Sequence, residues 1–280
     1  MNSPSATQSL KLARFRKGAA VADVRDLVAV EAPMEIRVEG HSLAVLMRTP
    51  GRDRELTAGF LLSEGVIRSS RDLFEISLCG GEAGAPAQVA EVHLRNPSKF
   101  APEKLTRHLL TSSSCGVCSQ TLLASVLRRR RPLKGSARIA PAELQRMPDM
   151  LREAQAVFAV TGGLHACALV EAGGDLVEVC EDVGRHNALD KLIGNRLLNR
   201  QLPLDSHVLL LSGRTSFEMV QKAYAAGIVF VAAIGAPSSL AVDFARKSGQ
   251  TLVGFLREDS FNTYSGSRRL QTQRRGPGTA

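Results

Sequence analysis

Val208-Leu209-Leu210-Leu211-Ser212-Gly213-Arg214-Thr215-Ser216 opens the stretch whose reading decides the fold. It continues through Gly227-Ile228-Val229-Phe230-Val231-Ala232-Ala233-Ile234-Gly235 to Gly249-Gln250-Thr251-Leu252-Val253-Gly254-Phe255-Leu256. Apolar runs of strand length at 207–212, 228–235 and 251–256 alternate with helical spacing over 216–226 and 239–248. Gly227 and Gly249 stand where left-handed residues end helices. Strand–helix–strand repetition implies right-handed crossovers and a parallel sheet covered on both faces.

Outward from this core the pattern changes. A helix is expected over 187–199, preceded by strand-like runs at 157–161, 165–170 and 176–181, which Gly162–Gly163 and Gly173–Gly174 separate. The Arg-, Pro- and Lys-rich link 128–141 marks a candidate domain boundary. Before it, Ile36 and Val38, then Leu43, Val45 and Met47, alternate around Gly40–His41 as in a hairpin. A short helix over 54–64 stops at Gly65, Val89–Leu94 reads as a strand, and Leu122, Leu123, Val126 and Leu127 predict a helix over 119–130. The expected division is a β-rich domain over 23–135 and an α/β domain over 136–264, flanked by basic tails at 1–22 and 265–280.

The 280 residues are 44% hydrophobic and 22% charged, enough to bury a core without disulfides. The longest strictly apolar run, 228–234, falls far short of the ~20 residues of a membrane span. No apolar secretory segment opens the chain, and five cysteines suit a reducing compartment, so a soluble cytoplasmic protein is expected. Nearly all of the net charge of +9 sits in the tails, on Lys11, Arg14, Arg16, Lys17, Arg268, Arg269, Arg274 and Arg275. That distribution argues against a nucleic-acid face, which would place its cations on folded elements. The tails read as disordered and dispensable for folding. The run Arg128–Arg131 with Lys134 reads either as a solvated helix end or as a docking surface for an acidic partner.

In a parallel sheet, ligands bind beyond the carboxyl ends of the strands. Loops 181–187, 212–216 and 235–239 are placed there. Gly213, Arg214 and Thr215 are the sharpest candidates: glycine lets the backbone approach a ligand, arginine offers forked donors to phosphate, and a helix N-terminus follows. Ordinary caps and turns would use the same residue types. No Walker A and no dinucleotide fingerprint is present.

Ser112-Ser113-Ser114-Cys115-Gly116-Val117-Cys118 is the sharpest local feature. A thiolate at the start of the expected 119–130 helix would be stabilised by free N–H groups, which makes Cys115 and Cys118 candidates for sulfur chemistry. Zinc, a thioredoxin-like redox pair and buried structural cysteines are the alternatives; no second C-x-x-C or H-x-x-x-H completes a zinc set, and no metal is expected. His165 and Cys167 do not form a nucleobase-deaminase motif, because the glutamate and the later P-C-x-x-C are missing.

Taken with Thr161–Ala166, Glu181–Lys191, Ser212–Ser216 and Gly235–Ser239, the cysteine motif resembles the FdhD/NarQ family of formate dehydrogenase accessory sulfurtransferases, over residues 30–270. The resemblance implies a C-terminal cytidine-deaminase-like three-layer α/β domain with a smaller β-rich N-terminal domain, and a homodimer. It implies a sulfurtransferase that receives persulfide sulfur from a cysteine desulfurase on Cys115, with Cys118 as the second cysteine of the motif. The sulfur then goes to the molybdenum or tungsten bis-molybdopterin guanine dinucleotide cofactor, carried as a bound substrate, before its insertion into formate dehydrogenase. GDP is expected to bind as a fragment of that cofactor. The family's cofactor segment maps onto Phe255, Leu256, Arg257, Glu258, Asp259 and Ser260. Glu258 and Asp259 depart from its more basic form, which leaves Arg257 as the main expected contact. A cofactor-binding chaperone without sulfur chemistry is the alternative.

Overall fold

A computed structural model of the chain describes residues 6–80, 85–100 and 131–271. The chain divides into two compact units: residues 1–115, 155–166 and 180–200 form the first, and 116–154, 167–179 and 201–280 the second. The division falls inside two strands, β7 (His165–Val170) and β8 (Leu176–Asp182), so the units interleave in sequence and do not follow the expected 23–135 and 136–264 blocks.

The first unit opens with an antiparallel ribbon of β1 (Thr7–Arg16) and β2 (Ala19–Ala29), joined through Lys17 and Gly18 at φ 50° and 83°. Two successive positive φ values match the right-handed twist of a tight hairpin. Residues 7–22 are therefore paired strand and turn, and the expected tail boundary at 22 lies within β2. The alternation of Leu10, Lys11 and Leu12 is the strand signal that the charge reading passed over.

A four-stranded sheet follows, in the order β4-β3-β6-β5, from β3 (Ala32–Val38), β4 (His41–Arg48), β5 (Leu73–Cys79) and β6 (Val89–Leu94). The expected hairpin is β3–β4, turning at Glu39 and Gly40 with φ 51° and 75°. Met34, Ile36 and Val38 are fully buried, as period-two alternation requires, beside Ala90 and Val92. Helix α1 (Asp53–Ser63) supplies Leu56 and Leu61 to this unit's core.

In the second unit the region after 141, left unassigned by pattern, is helix α2 (Pro141–Ala154), which buries Leu144, Met147 and Leu151 at helical spacing. The stretch 157–161, expected as a strand, is instead helix α3 (Ala156–Thr161) of the first unit. Glu181 decides this: its carboxylate accepts hydrogen bonds from Val157 N at 3.1 Å and Phe158 N at 2.8 Å. Those N–H groups have no partner within a helix, and an anion at a helix start outweighs the strand preference of Val and Phe.

The large sheet runs β12-β11-β10-β9-β7-β8. Strands β9 (Val208–Leu211), β10 (Phe230–Ala233) and β11 (Thr251–Gly254) are parallel and wholly buried, as their unbroken apolar runs predict. β7 and β12 (Asn262–Ser265) add antiparallel flanks, so the sheet is mixed. Between these strands come α4 (Arg185–Leu198), α5 (Phe217–Ala225) and α6 (Ser239–Ser248).

The expected C-terminal tail is also partly folded. Ile139 N donates to Arg269 O at 3.2 Å and Gln271 N to Ile139 O at 2.9 Å, which seats 269–271 beside the 132–139 strap of the same unit. The helix expected over 119–130 lies outside the described residues. Among the described residues, no helix is long and apolar enough to cross a membrane.

Candidate functional site

The carboxyl ends of β9, β10 and β11 hold the loops singled out in the second unit, and backbone hydrogen bonds bind them to one another. Gly235 N donates to Gly213 O at 3.2 Å, Thr215 N to Ala236 O at 3.0 Å and Ser238 N to Thr215 O at 3.0 Å. Phe255 N donates to Gly235 O at 3.1 Å. Glycine permits this approach: a Cβ on Gly235 would stand 2.7 Å from Gly213 O, and one on Gly254 would stand 2.7 Å from Pro237 Cδ.

Within the cluster Arg214 is exposed, and Thr215 is 1% exposed. Thr215 Oγ1 has no hydrogen-bond partner among the described residues. A buried hydroxyl without a partner costs about 1–3 kcal/mol, so Thr215 Oγ1 carries hydrogen-bonding capacity that its surroundings leave unused. Ser216, the N-cap of α5, makes no side-chain capping bond, whereas Ser238 caps α6 by accepting from Ala241 N at 3.2 Å. The α5 start brings the positive end of its helix dipole next to Thr215.

The segment 255–260 borders the same cluster. Phe255 is 44% exposed and held at φ 53°, in the left-handed region that a bulky residue seldom adopts. Leu256 is fully buried, so its side chain belongs to the core. Arg257 Nη1 donates to Ile234 O at 2.7 Å and to Leu256 O at 2.8 Å, which leaves the rest of its guanidinium fork for other acceptors. Glu258, Asp259 and Ser260 are exposed in a turn closed by Arg257 N to Ser260 O, 2.8 Å, with Ser260 Oγ donating to Asp259 Oδ1.

Loop 181–187 belongs to the first unit and does different work. Asp182, fully buried, accepts from Thr49 N at 3.1 Å, Gly184 N at 2.8 Å and Asn187 Nδ2 at 3.0 Å, and pairs with Lys191 Nζ at 2.7 Å. Asn187 Nδ2 also reaches Met47 O at 2.8 Å, and Lys191 Nζ reaches Thr49 O at 2.8 Å. These residues hold α4 and the end of β4 in place, so the sequence reading of this loop as a ligand loop gives way to an anchoring role. Arg48 was missed: it is fully buried, bonded to Asp53 at 2.9 Å and to the carbonyls of Ala32 and Ala87. Nothing in its local sequence marks it apart from an ordinary surface arginine.

Cys115 and Cys118 lie outside the described residues. Of the described cysteines, Cys79 is exposed, Cys167 and Cys180 are buried, and none of these three is in a disulfide. No cluster of potential metal ligands occurs among the described residues.

The model of the FdhD/NarQ family matches residues 29–271. The chain belongs to the FdhD/NarQ family. Among its FdhD/NarQ relatives is the sulfur carrier protein FdhD of Streptomyces coelicolor, 48% identical over 94% of this chain and 95% of that protein. Another is the sulfur carrier protein FdhD of Sulfurisphaera tokodaii, 43% identical over 88% and 92%. The fold is similar to that of a crystal structure from Desulfotalea psychrophila, provisionally described as a formate dehydrogenase accessory protein. That match has a TM-score of 0.75 at 26% identity and covers 95% of this chain and all of the other. In this FdhD/NarQ chain the 181–191 string is thus an anchor, while loops 213–215 and 235–238 are bound to one another at the carboxyl ends of β9 and β10.

Proposed function

We propose that the protein is a cytoplasmic, homodimeric sulfur carrier for formate dehydrogenase, with a cytidine-deaminase-like α/β domain holding its cargo. Cys115 takes sulfur from a cysteine desulfurase, and the recipient is the bis-molybdopterin guanine dinucleotide cofactor. The relatives' names support the carrier role. The observation that carries the cofactor part is the Gly213–Thr215 cluster, where a glycine-built approach of loops surrounds a buried hydroxyl without a partner. Arg214, Arg257 and the start of α5 supply donors suited to the cofactor's phosphates.

Loading needs no redox partner. The Cys115 thiolate attacks the outer sulfur of the desulfurase persulfide, the sulfur–sulfur bond there breaks, and the desulfurase cysteine leaves as a thiolate. Delivery as hydrosulfide takes two electrons. Cys118 supplies them by attacking the inner sulfur of the Cys115 persulfide: a Cys115–Cys118 disulfide forms, hydrosulfide leaves, and a dithiol reductant resets the pair.

The test is intact mass after incubation with a desulfurase and cysteine, with peptide mapping. One added sulfur on Cys115, lost in Cys115→Ser while GDP affinity is kept, is the expected result. Unchanged cofactor delivery by Cys115→Ser would replace the sulfur carrier with a cofactor-binding chaperone.

A further inference from the structure

At the other end of the second unit's sheet, the strap 132–139 runs past the starts of the parallel strands. Leu133 N donates to Ser248 O at 2.8 Å, while Ser136 N and Ala137 N both donate to Asp205 O at 3.1 Å. A Cβ on Gly135 would stand 2.6 Å from Asp205 O and 2.6 Å from a Val229 methyl, so only glycine lets the strap lie this close. Between the strap and the 267–269 turn lies a cavity of about 410 Å³, lined by Leu133, Lys134, Gly135, Arg138, Arg268 and Arg269. Every ionisable group in that lining is a cation.

Arg269 is 6% exposed, and its Nη1 is fixed by Gly249 O at 2.9 Å and Thr251 Oγ1 at 3.2 Å, both neutral acceptors. Among the described residues no carboxylate pairs with Lys134, Arg138, Arg268 or Arg269. Burial and then the neighbouring Arg268 and Arg138 charges push the Arg269 guanidinium below its ordinary pKa. A desolvated cation next to like charges is unfavourable without a counter-charge.

We propose that this cavity is a second anion site, which binds a small oligophosphate through Arg138, Arg268 and Arg269. Its cations sit in a concavity of ligand size, and their number suits a chain of phosphates better than a single one. The fixed Arg269 fork is pre-organised for paired phosphate oxygens. This site is separate from the Gly213–Thr215 cluster: Gly249 and Thr251 flank the amino end of β11, whereas Phe255 follows its carboxyl end.

Calorimetric titration of the full chain with inorganic triphosphate at constant ionic strength tests the site. Arg138 and Arg268 are exposed, so the double variant Arg138→Ala/Arg268→Ala is expected to keep its unfolding transition. It should bind triphosphate roughly 30-fold or more weakly, since each charge-assisted contact accounts for about tenfold. Arg214→Ala should leave triphosphate affinity within about twofold, because contacts at distant sites act independently. The opposite pattern, loss in Arg214→Ala and none in the double variant, would overturn the proposal by placing triphosphate at the carboxyl-end loops. Absence of binding at millimolar triphosphate would also overturn it, as would a glutamate-rich peptide binding where triphosphate does not.

Discussion

Lys191 Nζ stands 2.7 Å from Asp182 Oδ2, and the two side chains are 3% and 0% exposed. The pair is stable out of water because neither charge depends on the other alone. Asp182 holds three further donors, from Thr49, Gly184 and Asn187, whereas Lys191 donates besides to the Thr49 carbonyl.

That asymmetry predicts unequal losses. Asp182→Ala strands a buried ammonium on a single carbonyl and should cost about 3–5 kcal/mol. Lys191→Met leaves the carboxylate with its remaining hydrogen bonds and should cost clearly less. Denaturant unfolding of both variants measures the difference, and equal losses would show that the other donors contribute little.

The α1–α4 crossing in the first unit makes a second prediction. A Cβ on Gly194 would overlap the Glu55 carbonyl, and one on Gly59 would overlap the Asp190 carbonyl. The clash is with backbone, which cannot rotate away. Gly194→Ala should therefore destabilise by about 1–3 kcal/mol or more, despite alanine's better helix propensity. A rise in Tm would mean that the helices separate at little cost.

At the carboxyl-end cluster, Thr215→Val separates stability from binding. Removing a buried hydroxyl that has no partner should stabilise the ligand-free chain by about 1 kcal/mol, a Tm rise of roughly 2–4 °C. The same change should weaken GDP if the hydroxyl serves the ligand. Arg214→Ala should weaken GDP by about one to two orders of magnitude with little effect on Tm. Thermal unfolding and calorimetry of the two variants give a crossed pattern that a purely structural Thr215 would not produce.

Much of this was legible in the sequence where local pattern and tertiary demand agree. Val208–Leu211, Phe230–Ala233 and Thr251–Gly254 are short apolar runs, and each becomes a buried parallel strand. The gathering of Gly213–Thr215 with Gly235–Ser238 follows from the rule for strand ends in such sheets. Ala156–Thr161 was not legible, because the group that makes it a helix is Glu181, distant in sequence. The same holds for the anchoring role of Asp182 and Lys191, whose partner Thr49 comes from β4's far end. Charge in the terminal segments masked the strand alternation at Leu10–Leu12 and the burial of Arg269.

That last point corrects the expectation that a chain covering 23–264 melts like the whole. Ending the chain at 264 removes the Arg269 bonds to Gly249 and Thr251, together with the Ile139–Arg269 and Gln271–Ile139 backbone bonds. At about 0.5–1.5 kcal/mol each, these four bonds together are worth roughly 2–6 kcal/mol, a Tm drop of about 5–20 °C. Starting at 23 instead removes β1 and leaves the 23–29 edge of β2 without its partner strand, which exposes Leu27 and Val28 further and should promote association. Thermal unfolding with light scattering distinguishes the two outcomes: the C-terminal truncation should melt early, and the N-terminal one should scatter early. If ending at 264 left Tm within a degree of the full chain, the 269–271 segment would contribute nothing to the second unit, and its buried arginine would have no structural role there.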